Sequence, residues 1–199
     1  LTDDIYEKII YDDKDFYSIV SIMPELKERT LTLNGVSKTY CMTGWRVGYC
    51  GAPREIIAGM NKIQSQSNTS TSSISMAASV EALSGNQEFI KDHNMEFKKR
   101  RDMVVKKLNA VEGISCKVPE GAFYVYASCA GIIGKRTPEG QIIDSDEKFM
   151  NYLLESEGVA GVHGEAFGLS PYFRLSYATN EKTLIEACER INRACENLK

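Results

Sequence analysis

Apolar and polar residues change their spacing several times along the chain, and each change predicts an element. Leu31-Thr32-Leu33 alternates and then meets Asn34-Gly35, the pattern of a short strand entering a turn. Arg46 to Cys50 reads as a second strand, stopped by Gly51-Ala52-Pro53. Pro53 suits a first helical turn, and Ile56, Ile57 and Met60 then share one helix face. Residues 65 to 75 are mostly hydroxyls and amides, which predicts a surface linker. Helix is expected again from Met76 to Leu83, broken at Ser84-Gly85-Asn86. A long charged helix follows from Gln87 to about Asn109, with Phe89, Ile90, Phe97, Val104, Val105 and Leu108 at helical spacing. Lys98-Lys99-Arg100-Arg101 in that helix reads as a solvated face.

Strands are expected next around Ser115–Lys117 and Ala122–Tyr126, then a helix from Ser145 to Glu157 with an acidic first turn. Val159–Val162 and Tyr172–Tyr177 read as further strands. Asn180 caps a last helix that turns Leu184, Ala187, Cys188, Ile191 and Ala194 inward. Strands alternate with helices, so the class is α/β or α+β. The long helix suits a bridge between two domains, 1–98 and 99–199.

Composition narrows the functions. The chain has 199 residues, enough for one large domain or two small ones. Its net charge of -3 argues against a nucleic-acid partner, which needs a basic stripe to meet phosphates. No apolar run is long enough to cross a bilayer, and no signal peptide is evident, so a cytoplasmic protein is expected. Six cysteines lack C-x-x-C spacing and only two histidines accompany them, so no metal site is expected. They read as free, mostly buried thiols of a reducing compartment.

The segment from Asn34 to Tyr49 carries the candidate chemistry. It sets Lys38 just past a strand end, in a turn with glycines on both sides, where α/β proteins place ligands. Arg46 stands eight residues on between Gly44 and Gly48, with little bulk to shield its guanidinium. A lysine becomes a nucleophile when burial or a cationic neighbour lowers its pKa, and the planar arginine fork suits a phosphate. An amine beside a phosphate clamp is what a phosphorylated aldehyde cofactor needs.

The string S-K-x-x-x-M-T-G-W-R-x-G-Y from Ser37 to Tyr49 closely resembles the cofactor-lysine motif of fold-type I aminotransferases of class I and II, in the aspartate aminotransferase branch. Asp3-Asp4-Ile5-Tyr6 is similar to the family's D-E-x-Y strand end, Pro119 to Tyr124 to its P-x-G-A-F-Y segment, and Phe173 to Ala178 to its carboxylate-binding strand. The resemblance covers essentially the whole chain. It implies the end of a pyridoxal-phosphate-binding large domain over 1–98 and an α+β small domain over 99–199.

The same resemblance implies that Lys38 holds pyridoxal 5'-phosphate as an imine and moves a proton between the substrate α-carbon and the cofactor. Asp3 would pair with the pyridine nitrogen, Tyr6 with the ring oxygen, and Ser37 and Arg46 with the phosphate. Arg174 would grip the substrate α-carboxylate. The implied reaction passes an amino group from an amino acid, aspartate first, to 2-oxoglutarate in a homodimer. Aromatic or broader amino-donor specificity, a lyase reaction on the same fold and a structural fragment without a cofactor stay open. His163, Tyr40, Trp45 and Tyr124 receive no role.

One family feature is absent. No N-P-x-G occurs, and the match begins at the Asp of the pyridine-nitrogen motif, so the sequence reads as the carboxy-terminal part of an enzyme cut inside a domain. This chain alone is expected to have little or no transaminase activity.

Overall fold

The computed structural model describes all residues from Leu1 to Lys199, in two compact units, Leu1–Asn94 and Met95–Lys199. The first holds a mixed sheet. Strand β1 (Thr2–Asp3) runs parallel to β2 (Thr32–Gly35), and β2 is antiparallel to β3 (Gly48–Gly51). The crossover from β1 to β2 carries a short helix, α1 (Ile19–Ile22), and a 3-10 turn over Pro24–Arg29. Two helices follow β3: α2 (Arg54–Ser67) and α3 (Ser73–Ser84).

Several boundaries differ from the sequence expectations. Asn34-Gly35 is not a turn but the end of β2, because Gly35 pairs with Gly48 and a Cβ there would meet the Val47 carbonyl at 3.0 Å. Only glycine lets the hairpin close so tightly. Strand β3 begins at Gly48 rather than Arg46, since Arg46 sits in the left-handed region at φ 56° after a 3-10 turn over Thr43–Trp45. The hydroxyl-rich stretch 65–75 is a linker only over 68–72: α2 runs to Ser67, and α3 begins at Ser73. Ser65 Oγ and Ser67 Oγ donate to the Lys62 and Gln64 carbonyls, so those hydroxyls are spent on the helix's own backbone.

Helix α4 (Phe89–Asn109) runs out of the first unit into the second. In the first, Asn94 donates to the Lys8 and Ile10 carbonyls. Arg101 overturns the reading of a wholly solvated basic run. It is 2% exposed, donates to the Pro119 carbonyl at 3.0 Å and pairs with Asp102.

The second unit is an antiparallel sheet of order β4-β5-β7-β6, formed by β4 (Ser115–Cys116), β5 (Tyr124–Ser128), β6 (Val162–His163) and β7 (Tyr172–Ser176). Strand β5 starts two residues late because Ala122 is left-handed at φ 57°. Helices α5 (Asp146–Glu157) and α6 (Glu181–Glu196) complete the unit. Ser145 and Asn180 cap them by accepting from Lys148 N and Thr183 N. One continuous core runs from Val104 to Leu198 and includes Leu108, Val125, Phe149, Leu153, Phe173 and Ile191. Four cysteines, Cys116, Cys129, Cys188 and Cys195, lie buried in it as free thiols. No helix is long and apolar enough to cross a membrane.

Candidate active site

Parallel pairing of β1 with β2 sets their carboxyl ends side by side, with Thr2 beside Thr32 and Asp3 beside Leu33. The chain leaves both ends in turns, and those turns carry the nominated residues. Tyr6 follows β1. Ser37 and Lys38 follow β2, in a turn closed by Cys41 N donating to the Lys38 carbonyl at 3.2 Å. The Lys38 ammonium stands 6.0 Å from the centre of the Tyr6 ring. Two segments far apart in sequence thus meet at one point, as the crevice at the end of parallel strands allows.

Arg46 lies on the returning arm of the hairpin, just before β3, where Val36 N donates to the Val47 carbonyl. The Arg46 guanidinium is exposed and donates to the Thr43 carbonyl at 2.9 Å, within its own turn. Asp3 is exposed and accepts from Ile5 N, whereas its neighbour Asp4 is buried and accepts from the Thr2 hydroxyl at 2.8 Å. Tyr40 packs behind the turn, donating to Gln87 Oε1 at 2.9 Å. Burial, and then the nearby Glu7 carboxylate, raise the Tyr40 and Tyr49 phenols above their ordinary value. The first unit therefore carries an amine near a phenol at the paired strand ends, with a hydroxyl, a guanidinium and a carboxylate on the adjoining turns. That donor set fits an anionic phosphate ester carrying an aldehyde and a basic ring nitrogen.

Arg174 belongs to the second unit. It lies on the face of β7 away from the core, opposite Tyr126 on β5. Its guanidinium carbon is 4.4 Å from the ring centres of both Tyr124 and Phe167, so two aromatic rings pack against the cation. Tyr126 stacks on Tyr172 at 5.4 Å beside it. Sequence reasoning left Tyr124 without a role and missed Tyr126 and Phe167. The signal was there in part: Tyr-Val-Tyr at 124–126 puts both phenols on one strand face by its period of two. Phe167 comes from a separate turn and left no such trace. A cavity of about 410 Å³ lined by Val104, Val159, Leu175, Leu184, Cys188 and Ile191, among others, contains none of the nominated residues.

Comparison with known proteins shows the family. A family model described as aminotransferase class I and II matches residues 1–191. Aspartate aminotransferase of Rhizobium meliloti (strain 1021) is 56% identical over 198 residues, covering 100% of this chain and 48% of the relative. A probable aspartate/prephenate aminotransferase of Rhizobium leguminosarum bv. phaseoli is also 56% identical, covering 98% of the chain and 49% of the relative. The crystal structure of the Rhizobium meliloti aspartate aminotransferase superposes with a TM-score of 0.96 over 98% of this chain and 49% of that one. An aromatic aminotransferase from Pyrococcus horikoshii OT3, 37% identical, superposes at 0.84 over 98% of this chain and 50% of its own. The chain spans about half the length of the curated relatives it matches. With its α/β architecture, its lysine turn and that match over nearly its whole length, the chain belongs to the family of class I and II aminotransferases.

Proposed function

We propose that this chain is the lysine-bearing, carboxy-terminal part of a cytoplasmic, homodimeric aspartate aminotransferase that uses pyridoxal 5'-phosphate. The observation that carries the reading is the approach of Lys38 to Tyr6 at the paired ends of β1 and β2. Lys38 is the amine that would hold the cofactor by condensing with its aldehyde. Ser37 and Arg46 would bind its phosphate, Tyr6 its ring oxygen and Asp3 its ring nitrogen. Bound there, the cofactor supplies an electron sink for the pair released when the substrate's Cα–H bond breaks. Residues 1–98 would serve the cofactor and 99–199 the substrate.

Each residue then has one physical task. Lys38 takes a proton from the α-carbon and returns it elsewhere, which needs an amine that titrates near the working pH. Asp3 holds a proton on the ring nitrogen by its negative charge. Arg174 binds the α-carboxylate through two parallel N–H···O bonds, and both substrates of the exchange carry that group. Support for aspartate comes from the relatives' names. The test is to mix the complete enzyme with aspartate and 2-oxoglutarate and to follow oxaloacetate. No oxaloacetate, with another amino donor consumed, would refute aspartate specificity.

A second reading adds prephenate as an acceptor. It is favoured by the aspartate/prephenate names of relatives at 56% and 52% identity. The aromatic rings of Tyr124 and Phe167 beside Arg174 suit a cyclic substrate. Comparing kcat/KM for prephenate with that for oxaloacetate decides it.

A further inference from the structure

Asp146 is the one fully buried carboxylate in the second unit, at 0% exposure, and no role assigned so far uses it. It opens α5, one residue after the Ser145 cap. Its Oδ1 accepts from Glu147 N at 3.0 Å. Its Oδ2 accepts from Gly164 N at 3.0 Å, Glu165 N at 3.2 Å and Tyr172 N at 3.3 Å. A single side chain therefore ties together the start of α5, the 3-10 turn over Gly164–Phe167 and the first residue of β7. A buried charge is costly unless fully hydrogen-bonded, and an apolar side chain of similar size would often serve stability as well. Retaining a carboxylate here needs another reason, and what the turn carries supplies one.

The turn is gripped from its other side too. Tyr126 Oη donates to the Gly164 carbonyl at 3.0 Å and the Leu169 carbonyl at 3.1 Å. There is no room for it to shift: a Cβ on Gly164 would collide with the Leu169 carbonyl and lie 2.8 Å from Tyr126 Oη. The turn ends at Phe167, whose ring lies on one face of the Arg174 guanidinium. Tyr172, bonded to Asp146 through its N–H, starts the strand on which Arg174 stands two residues later.

We infer that Asp146 is a positioning residue for substrate carboxylates: it fixes the turn that holds Phe167 against Arg174, and so sets the direction of the guanidinium fork. This rests on the reading of Arg174 as the carboxylate-binding residue. Asp146 touches neither substrate nor cofactor. Its effect is on how well the fork is aimed before substrate arrives, which lowers the ordering needed on binding.

The test uses the complete enzyme with pyridoxal phosphate bound. Asp146→Asn keeps the shape but trades an acceptor oxygen for a donor that cannot serve these N–H groups. The expected result is a rise of about tenfold in KM for both aspartate and 2-oxoglutarate, with kcat within about twofold and the bound-cofactor absorbance unchanged. A lowered Tm with unchanged KM, or a loss confined to kcat, would overturn the inference. Phe167→Leu removes the ring and leaves Asp146 alone; it is expected to raise KM in the same selective way and carries the decision if Asp146→Asn does not fold. Arg174→Lys is the reference. If it leaves KM unchanged, the carboxylate reading falls and the inference with it. If it raises KM while the other two variants do not, the positioning role alone is wrong.

Discussion

Replacing Arg174 by lysine keeps the positive charge on β7 but removes the planar fork and its packing against Tyr124 and Phe167. An ammonium meets a carboxylate as a point charge, so one of two parallel charged hydrogen bonds is lost. A hydrogen bond to a charged group contributes about 1.5–3 kcal/mol, which at 1.36 kcal/mol per decade lowers kcat/KM roughly 10- to 150-fold. With both ring centres 4.4 Å from the guanidinium carbon, lysine also gives up the contact a planar cation makes with them. On the proposed reading both substrates present an α-carboxylate to Arg174, so both should suffer, and mostly through KM. The assay is steady-state kinetics in each direction, alongside the slow turnover of an amine donor without a carboxylate. That control should change by less than about threefold, since it never used the fork. An equal loss for the control amine, or undiminished kcat/KM for aspartate, would refute the reasoning.

Other expectations follow from the same geometry. Lys38→Ala should abolish covalent retention of pyridoxal phosphate after borohydride reduction, and peptide mapping of the unmodified enzyme should find the label on Lys38; a label elsewhere contradicts the assignment. Phe149 packs edge-on against Phe173 at 5.6 Å in the core of the second unit, and both are fully buried, so Phe149→Ala should cost about 3–5 kcal/mol in urea unfolding. Burial pushes the Cys129 and Cys195 thiols up to about 12 from an ordinary 9.0, and those of Cys116 and Cys188 to about 11. The folded state keeps these protons where the unfolded chain has released them, so stability is fully present below pH 9 and declines as pH rises from 9 toward 12. A urea midpoint that stays level between pH 9 and 11 would contradict this, and a Cys129→Ala, Cys195→Ala double variant should flatten the decline. Thiol-reactive reagents should modify exposed Cys41 first in the native protein.

How far the sequence could be read differed between the two halves of the problem. The lysine turn was legible because its chemistry is local: strand, glycine, lysine and arginine lie within one short stretch. Helices with a clear apolar stripe, such as α4 and α6, were also legible, as was the Asn180 cap. The helical ends of the hydroxyl-rich stretch, at 65–67 and 73–75, were not, because serines that bond back to the preceding turn look like loop residues in one dimension. Strand starts shifted wherever a non-glycine residue took a left-handed conformation, as at Arg46 and Ala122. Arg101 read as part of a solvated basic run and Asp146 as part of an acidic helix start, and only tertiary folding buries them.

A continuous core underlies the sheet of the second unit, and Arg174 stands on the face of β7 turned away from it. On the reading proposed above, substitution at Tyr124 or Phe167 would retune how a carboxylate is received while Lys38 and Tyr6 keep their approach. Similar proteins carry aspartate, aspartate/prephenate and aromatic names, the kind of spread such retuning would produce.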